Sequence, residues 1–267
     1  MMRFISFGSG TSGNCCCLFT EHDGLMIDSG VGCRMLKKRF CQYGLSMSSV
    51  KRILITHDHC DHIQRVGSLS HDLNIPVFAT KKVHEGVEKN RGVVRKIDGA
   101  NIKYLEKDKT EVIGDFEVTP FDVPHKCSDN VGFFISHEGV NFCLITDAGY
   151  VTETMKSFIR KANYLVIEAD YDVEKLTKGN YPYFRKMEIM SSVGHLSNLD
   201  CAMALAENAT SELKRVWLCH ISSNNNSPEI ACETVTSVLN QHGIVVGENF
   251  LMEPLKRCEP TGIYDLI

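Results

Sequence analysis

Residues 57–62 read HDHCDH, three histidines and two aspartates directly after the apolar run RILIT. Side chains alternate between two faces of an extended chain, so His57 and His59 point the same way. Asp61 and His62 lie where the chain turns into the next predicted helix and face a second point nearby. Imidazole nitrogen and carboxylate oxygen are ligands that zinc and manganese favour. The motif therefore predicts two metal half-sites, His57 with His59 and Asp61 with His62.

Two half-sites need further donors, and three occur where other apolar runs end. His125 follows FDVP, Asp147 follows FCLIT and His220 follows VWLC. We expect these side chains to meet the motif, because the carboxyl ends of neighbouring strands gather at one edge of a sheet. An aspartate can bridge two metals, which makes Asp147 the natural shared ligand. The alternative for each of the three is a polar residue that only satisfies the end of a strand.

The elements that must position these donors are short apolar runs alternating with helical patterns. The runs predict strands at 52–56, 164–169 and 215–220, and a hairpin formed by GFFIS and NFCLIT. Helices are predicted after His62, over 151–161, after Ser197 and from Ser227-Pro228, an N-cap followed by proline. This order indicates an α/β fold with sheets sandwiched between helices. We expect a single domain over residues 1–267, built from two similar halves that meet near residue 126.

The composition is that of an ordinary soluble globular protein, with 43% hydrophobic and 23% charged residues in a chain of 267. No run approaches the roughly 20 apolar residues of a membrane span. The start MMRFISFGSG has no signal-peptide pattern, so we expect a cytoplasmic protein without membrane contact. Twelve cysteines without a CxxC pair favour reduced thiols over a disulfide scaffold. A net charge of −4 leaves no global field for nucleic acid, so contact with a polyanion must be local.

Five short motifs in order resemble the metallo-β-lactamase fold superfamily: IDSG, THDHCDH, PH, TDAG and LCH. The resemblance implies an αββα sandwich of two mixed sheets with two divalent metal ions per chain, zinc or manganese with iron possible, at one edge. It assigns His57, His59 and His125 to one ion, Asp61, His62 and His220 to the other, and Asp147 to both. Asp28 of IDSG is similar to a superfamily aspartate that orients a metal-binding side chain without itself binding the metal. The alternative for Asp28 is a turn residue without such a role.

Three further motifs resemble the YycJ/WalJ group of bacterial metallohydrolases: FGSGTSGN, GHLSN and CHISSNNNSPE. That group is associated with DNA exonuclease activity, and its layout is similar to the tRNA-maturation ribonuclease Z. The resemblance implies two more functional residues, Glu168 and the non-ligand His195. The chain departs from the group at four positions that concern binding of a phosphate-rich substrate, namely Asp170, Tyr171, Glu188 and Val193.

Paired divalent ions lower the pKa of a shared water and hold hydroxide as nucleophile. Asp61 is then placed to orient that hydroxide while binding one ion. His195 is our candidate for the proton donor to a leaving alkoxide, with Glu168 as its orienting carboxylate. The alternative for His195 is a helix-start residue bonded to the backbone. Donors to substrate phosphate are expected from Ser222, Asn225 and Asn226, which equally fit a helix-capping role.

These features predict a metal-dependent hydrolase. The leading hypothesis is a phosphodiesterase or DNA exonuclease whose partner is nucleic acid, with DNA favoured over RNA. The alternative is hydrolysis of a small molecule: a cyclic phosphodiester, a thioester or a lactone. A di-iron redox protein is disfavoured because its relatives carry Glu where this chain has His59. A binding module without catalysis is disfavoured because the ligand set is complete. The sequence does not indicate an oligomeric state.

Overall fold

The computed structural model describes residues 1–267, which form fourteen β-strands and nine α-helices. The strands are β1 (Met2–Gly8), β2 (Cys15–Phe19), β3 (Gly24–Ile27), β4 (Arg52–Leu54), β5 (Val77–Ala79), β6 (Ile102–Tyr104), β7 (Glu111–Ile113), β8 (Phe116–Asp122), β9 (Val131–His137), β10 (Val140–Ile145), β11 (Tyr164–Glu168), β12 (Arg215–Cys219), β13 (Leu251–Pro254) and β14 (Tyr264–Leu266). The helices are α1 (Cys33–Gln42), α2 (Cys60–Ile63), α3 (Val66–Leu73), α4 (Lys81–Lys89), α5 (Glu153–Ile159), α6 (Val173–Lys178), α7 (Tyr183–Ile189), α8 (Asn198–Asn208) and α9 (Pro228–Gln241).

The strands form two seven-stranded mixed sheets with matching layouts. The first has the order β14-β1-β2-β3-β4-β5-β6, antiparallel from β14 to β3 and parallel from β3 to β6. The second has the order β13-β12-β11-β10-β9-β8-β7, parallel from β13 to β10 and antiparallel from β10 to β7. The chain passes from the first sheet to the second between Tyr104 and Glu111 and returns to the first sheet in β14.

The sheets face each other across an apolar interior. Phe4 and Leu18 of the first sheet and Phe133 and Trp217 of the second are buried in one cluster, with the rings of Phe4 and Trp217 4.5 Å apart. Helices α1, α3 and α4 cover the outer face of the first sheet, and α5, α8 and α9 cover that of the second. Strands buried on both faces need near-continuous apolar runs, which is what β2 shows in CCCLF. The predicted αββα sandwich is confirmed.

Most predicted elements form, although several are shorter than their patterns. The hairpin of β9 and β10 turns at Glu138 and Gly139, both with positive φ. Ser227 caps α9 by accepting a hydrogen bond from the backbone of Ile230 at 3.2 Å. The single helix expected after His62 is split into α2 and α3. No helix is long and apolar enough to cross a membrane.

Candidate metal centre

The three histidines of the first predicted donor set lie together at the edge where β4 and β8 end. The ring centroids of His57 and His59 are 4.7 Å apart, and that of His125 is 5.2 Å from His57 and 4.9 Å from His59. One nitrogen from each of the three lies within 4.8 Å of the other two. Since the three imidazoles converge on one point, they form a facial donor set of the kind that transition metals accept.

The second predicted set joins Asp61 and His62 of α2 to His220 at the end of β12. The Oδ2 atom of Asp61 lies 3.5 Å from Nε2 of His62 and 3.7 Å from Nε2 of His220. Asp147 lies between the two sets: its Oδ2 is 3.3 Å from Nε2 of His62, and its Oδ1 is 3.9 Å from Nε2 of His125. The geometry therefore lets the Asp147 carboxylate reach both sets, as the sequence suggested.

Hydrogen bonds outside the sets fix which nitrogen of each ring faces inward. Asp28 Oδ2 lies 2.6 Å from His62 Nδ1 and also accepts a bond from the Thr56 hydroxyl at 2.9 Å, so Asp28 is more than a turn residue. His62 Nε2 is left to face Asp61 and Asp147. A carboxylate in this position sets the tautomer and raises the basicity of a ligand.

In the first set, backbone carbonyls fix which ring nitrogens of His125 and His59 face inward. His125 Nδ1 donates to Gly194 O at 2.8 Å, which directs Nε2 inward. His59 is turned the other way, since its Nε2 donates to Lys126 O at 3.2 Å and its Nδ1 lies 3.3 Å from His125 Nε2. The inward atoms of these two rings are therefore Nδ1 of His59 and Nε2 of His125.

Two inward nitrogens have no hydrogen-bond partner in the protein: Nε2 of His57 and Nε2 of His220, both buried. A buried imidazole nitrogen without a partner is costly unless another group satisfies it. Burial lowers the pKa of His57 and His125, which keeps these rings neutral and able to bind a cation. The donor types and the unpaired nitrogens together fit divalent metal ions.

The second set carries more negative charge. Burial opposes protonation of His62, but the carboxylates of Asp28, Asp147 and Asp61 together raise its pKa well above the usual value. The pKa of His220 is also raised well above the usual value, because Asp147 and neighbouring acidic groups outweigh the effect of burial. An ion entering this set must displace these protons.

Three of the residues at this edge have left-handed backbone conformations. Asp28, Asp147 and His220 have φ values of 59°, 54° and 55° at or just past the ends of β3, β10 and β12. Such values are uncommon for residues other than glycine, although Asp and His are among the more tolerant. Strain of this kind persists where the surrounding structure over-determines the backbone, and it clusters at functional sites.

His195 and Glu168 form a pair beside the donor sets. His195 Nδ1 donates to Glu168 Oε1 at 2.8 Å, and the His195 ring stacks on that of His220 at 5.3 Å. Glu168 is fully buried, and its Oε2 accepts bonds from the backbone of Ala148 at 2.7 Å and Leu196 at 3.1 Å. Burial works against the charged ring, but Glu168 raises the pKa of His195 to about 9; a cation held by the neighbouring sets acts in the opposite direction.

A cavity of about 400 Å³ opens over the donor sets. Its lining comprises Thr11, His59, Asp61, His125, Lys126, Asp147, Arg185, Glu188, Ile189, Val193, Gly194, His195 and His220. Two of these residues, Lys126 and Arg185, are cations that the sequence analysis did not single out. Glu188 accepts hydrogen bonds from both, at 2.9 Å from Lys126 Nζ and 2.6 Å from Arg185 Nη1. Exposed basic residues have no periodic signal that would have marked them.

Asn14 was also missed. It belongs to the glycine-rich motif FGSGTSGN, from which the sequence analysis took no site residue. Its Nδ2 donates to Asp61 Oδ2 at 3.1 Å and lies 2.8 Å from His62 Nε2, while its backbone N–H donates to Asp61 O at 2.7 Å. The loop therefore positions the Asp61 side of the second set.

The structure does not bring Ser222, Asn225 and Asn226 to the cavity. Asn226 is 2% exposed and donates to the carbonyls of Ala169 and Asp170 at 2.9 and 3.0 Å. Asn225 is 3% exposed, and its backbone N–H donates to the Ser222 hydroxyl at 3.3 Å. The Asn226 amide therefore has a structural role, whereas Ser222 and Asn225 lie outside the cavity lining.

The chain departs from the YycJ/WalJ motifs at four positions, which form two pairs: one pair lies away from the cavity and the other lines it. Asp170 Oδ2 lies 3.3 Å from Nδ1 of His220, and Glu168 Oε1 lies 3.2 Å from it, so Asp170 adds negative charge behind this ring without a hydrogen bond to it. Tyr171 is buried and packs with Leu176. Glu188 and Val193 instead line the cavity. Only the second pair is placed to affect a substrate directly.

Comparison with known proteins identifies the family and the fold. A family model described as the beta-lactamase superfamily domain matches residues 25–221. The chain is 36% identical to exodeoxyribonuclease YycJ of Bacillus anthracis over 98% of both chains. It is 32% identical to exodeoxyribonuclease WalJ of Streptococcus pneumoniae serotype 2 (strain D39 / NCTC 7466), over 93% of this chain and 92% of that relative. The crystal structure of the metallo-beta-lactamase fold protein YhfI from Bacillus subtilis is 15% identical, with a TM-score of 0.72 over 97% of this chain and 98% of that one. The resemblance predicted from the motifs is confirmed.

Proposed function

The chain belongs to the beta-lactamase superfamily, and on that premise we propose that it is a metal-dependent phosphodiesterase that degrades DNA as an exonuclease. The named relatives are exodeoxyribonucleases, which supports DNA as the substrate. The observation that carries the proposal is the His195–Glu168 pair: the His195 ring lines the cavity beside both donor sets, and Glu168 is buried behind it.

We assign one divalent ion, zinc or manganese, to each donor set. His57, His59 and His125 would hold one, Asp61, His62 and His220 the other, and Asp147 both. Ions in such sites polarise a phosphoryl oxygen and make water a nucleophile near neutral pH. Asp61, itself oriented by Asn14, faces the cavity and is placed to orient an attacking water.

His195 supplies the proton that the leaving alkoxide needs. Its Nδ1 is engaged by Glu168, so Nε2 is the atom that holds a proton towards the cavity. Glu168 is kept in place by two backbone N–H groups and fixes the orientation of the ring. Loss of a general acid costs about 10²–10⁴ in rate.

The test is to supply the purified protein with zinc or manganese and end-labelled duplex DNA, single strands, RNA and bis(p-nitrophenyl) phosphate. We expect nucleotides to be released from DNA ends. His195→Ala should slow DNA hydrolysis by about 10²–10⁴ while metal content stays near wild type. The activated nitrophenyl ester needs no proton on its leaving group and should slow much less. His242→Ala is the matched control, because His242 is exposed and donates only to Val238 O at 2.9 Å.

Three outcomes would contradict parts of this assignment. Loss of metal from His195→Ala would make His195 a ligand and reopen the role of His220. Equal slowing of both substrates with metals intact would make His195 a positioning residue. Hydrolysis of a cyclic phosphodiester, thioester or lactone, with DNA left intact, would establish the alternative function of a small-molecule hydrolase.

A further inference from the structure

Four large apolar side chains are exposed between residues 183 and 193, and we call them the apolar rim. Tyr183 is 77% exposed, Phe184 72%, Met187 46% and Val193 41%. Of the thirteen phenylalanines in the chain, only Phe184 is exposed. Scattered apolar residues are normal on a surface, but a cluster of them marks an interaction site.

The apolar rim borders the cavity. Phe184, Met187 and Val193 line a shallow groove that also includes Lys126 and Glu188. Lys126, Glu188 and Val193 line the cavity over the donor sets as well, so groove and cavity are continuous. Phe184 and Met187 are three residues apart on α7 and therefore share one face of the helix.

Other residues hold α7 in place. Ile189 is buried against Tyr171 and Leu176, and Lys186 Nζ donates to Thr177 O at 2.7 Å. The side chains of the apolar rim are therefore not needed to anchor the helix. Their exposure leaves the aromatic face of Phe184 free for a ligand.

We propose that the apolar rim binds unpaired bases of a DNA strand whose end lies in the cavity, with Phe184 as the stacking platform. This inference rests on the proposed function. Stacking of a base on an aromatic ring contributes about 1–3 kcal/mol. The cations Lys126 and Arg185 lie beside the rim, where the strand's phosphates would run, and the single carboxylate of Glu188 between them leaves a net positive charge there. A partner that combines planar apolar groups with regular negative charge fits this surface better than a neutral protein face.

The proposal has a consequence for the form of DNA. In a duplex the bases are stacked on each other, and only their edges are accessible in the grooves. Apart from the outer face of the terminal base pair, stacking on Phe184 therefore requires unpaired nucleotides. A single strand or a frayed end should bind more tightly than a blunt duplex of the same length.

The test measures fluorescence anisotropy of a short, nuclease-resistant phosphorothioate single strand. Its partner probe is an abasic strand of equal length, which keeps the charge and lacks the bases. With Phe184→Ala, the Kd for the base-bearing strand should rise by roughly 5- to 100-fold. The Kd for the abasic strand should stay the same. Phe184→Tyr should restore binding and Phe184→Leu should not, since leucine keeps the apolar surface without the ring.

Tyr104→Ala is the matched control, because Tyr104 is 58% exposed on edge strand β6 and does not line the cavity or the groove. It should change neither Kd. Thermal unfolding and metal content of Phe184→Ala should match wild type, which excludes a folding defect.

Unchanged binding of the base-bearing strand by Phe184→Ala would overturn the proposal. Full affinity in Phe184→Leu would also overturn it, as would a wild-type dimer that Phe184→Ala dissolves, because the rim would then serve a protein partner or a second copy. If wild type binds the strand through Phe184 yet degrades no DNA, the proposed function fails and the binding site stands. If wild type degrades DNA and Phe184→Ala binds normally, only this inference fails.

Discussion

At the scale of single residues, Asp28 shows how a carboxylate outside the donor sets controls a ligand within them. Its 2.6 Å contact with His62 Nδ1 keeps Nε2 facing inward. Asp28→Asn removes the charge and should weaken the metal affinity by about 10- to 100-fold. Competition with a chelator measures the change. Asp98→Asn is the control, because Asp98 is exposed and contacts only the exposed His71 ring. Equal affinity in both variants would mean that His62 is not held through Asp28.

At the cavity mouth, the Glu188 carboxylate holds two cations that could otherwise bind substrate phosphate. Hydrogen bonds from Lys126 and Arg185 lower the pKa of Glu188 to about 2, so its carboxylate stays charged and occupies both cations at every ordinary pH. Glu188→Gln should free the cations for substrate phosphate. Exposed ion pairs are weak, so we expect KM for DNA to fall by only about 2- to 5-fold, with kcat nearly unchanged. The decrease in KM should become smaller as salt is added, because salt screens the attraction between these exposed cations and the substrate phosphates. A rise in KM would show that Glu188 contacts the substrate favourably.

At the scale of elements, the position of α2 depends on a close contact with the loop after β3. A Cβ added at Gly30 would lie 1.6 Å from Asp61 O, whereas one at Gly32 would meet nothing within 4 Å. Gly30→Ala should push α2, and with it Asp61 and His62, away from the edge. Overpacking typically costs about 1–3 kcal/mol, which urea unfolding of the two alanine variants would measure. Metal analysis should show loss from the second set in Gly30→Ala and none in Gly32→Ala. A Gly30→Ala protein as stable and as metal-rich as Gly32→Ala would contradict this account.

Sequence patterns succeeded at this scale where a donor directly follows a buried run. His57, His125 and His220 were predicted because strands buried on both faces leave an unmistakable apolar pattern, and their ends meet at one edge. Asn225 and Asn226 also follow such a run, but neither lines the cavity, and the Asn226 amide accepts bonds from Asn198 of α8 and from the Ser227 backbone. Periodicity carries no information about which loop amides find partners. His84 illustrates the same limit: nothing in its sequence context marks it as buried, yet it is 6% exposed and bonded to Lys103 O at 2.9 Å.

At the scale of the whole molecule, the donor sets connect the two sheets. His57 and His62 follow β4 of the first sheet, whereas His125, Asp147 and His220 follow strands of the second. An ion that binds only the folded chain stabilises it by about 2.7 kcal/mol at a hundredfold excess over Kd. For a chain of this size, chelation should therefore lower Tm by roughly 5–10 °C, as calorimetry would show. An unchanged Tm after verified metal removal would mean that the edge is held by protein contacts alone.

The stabilisation by metal should also depend on pH. The pKa values of His62 and His220 are raised in the folded chain, so their protonation stabilises the metal-free protein at low pH. That contribution is lost as pH rises through the folded pKa values, whereas bound ions require the neutral rings. The gain in Tm on adding metal should therefore increase with pH above about 6.5, the ordinary histidine value. A gain that is constant or decreases with pH would contradict the charge states assigned to these rings.

The pairing of the last strand with the first has a consequence for how the protein is made. β14 lies beside β1, with Leu266 opposite Met2, and the Tyr164 hydroxyl donates to Ile267 O at 2.9 Å. During synthesis β1 is made first, whereas β14, which pairs with its open edge, is made after every other strand of both sheets. β1 keeps an unpaired edge until the final residues emerge. The nascent chain thus spends most of its synthesis with one edge of its first strand unpaired.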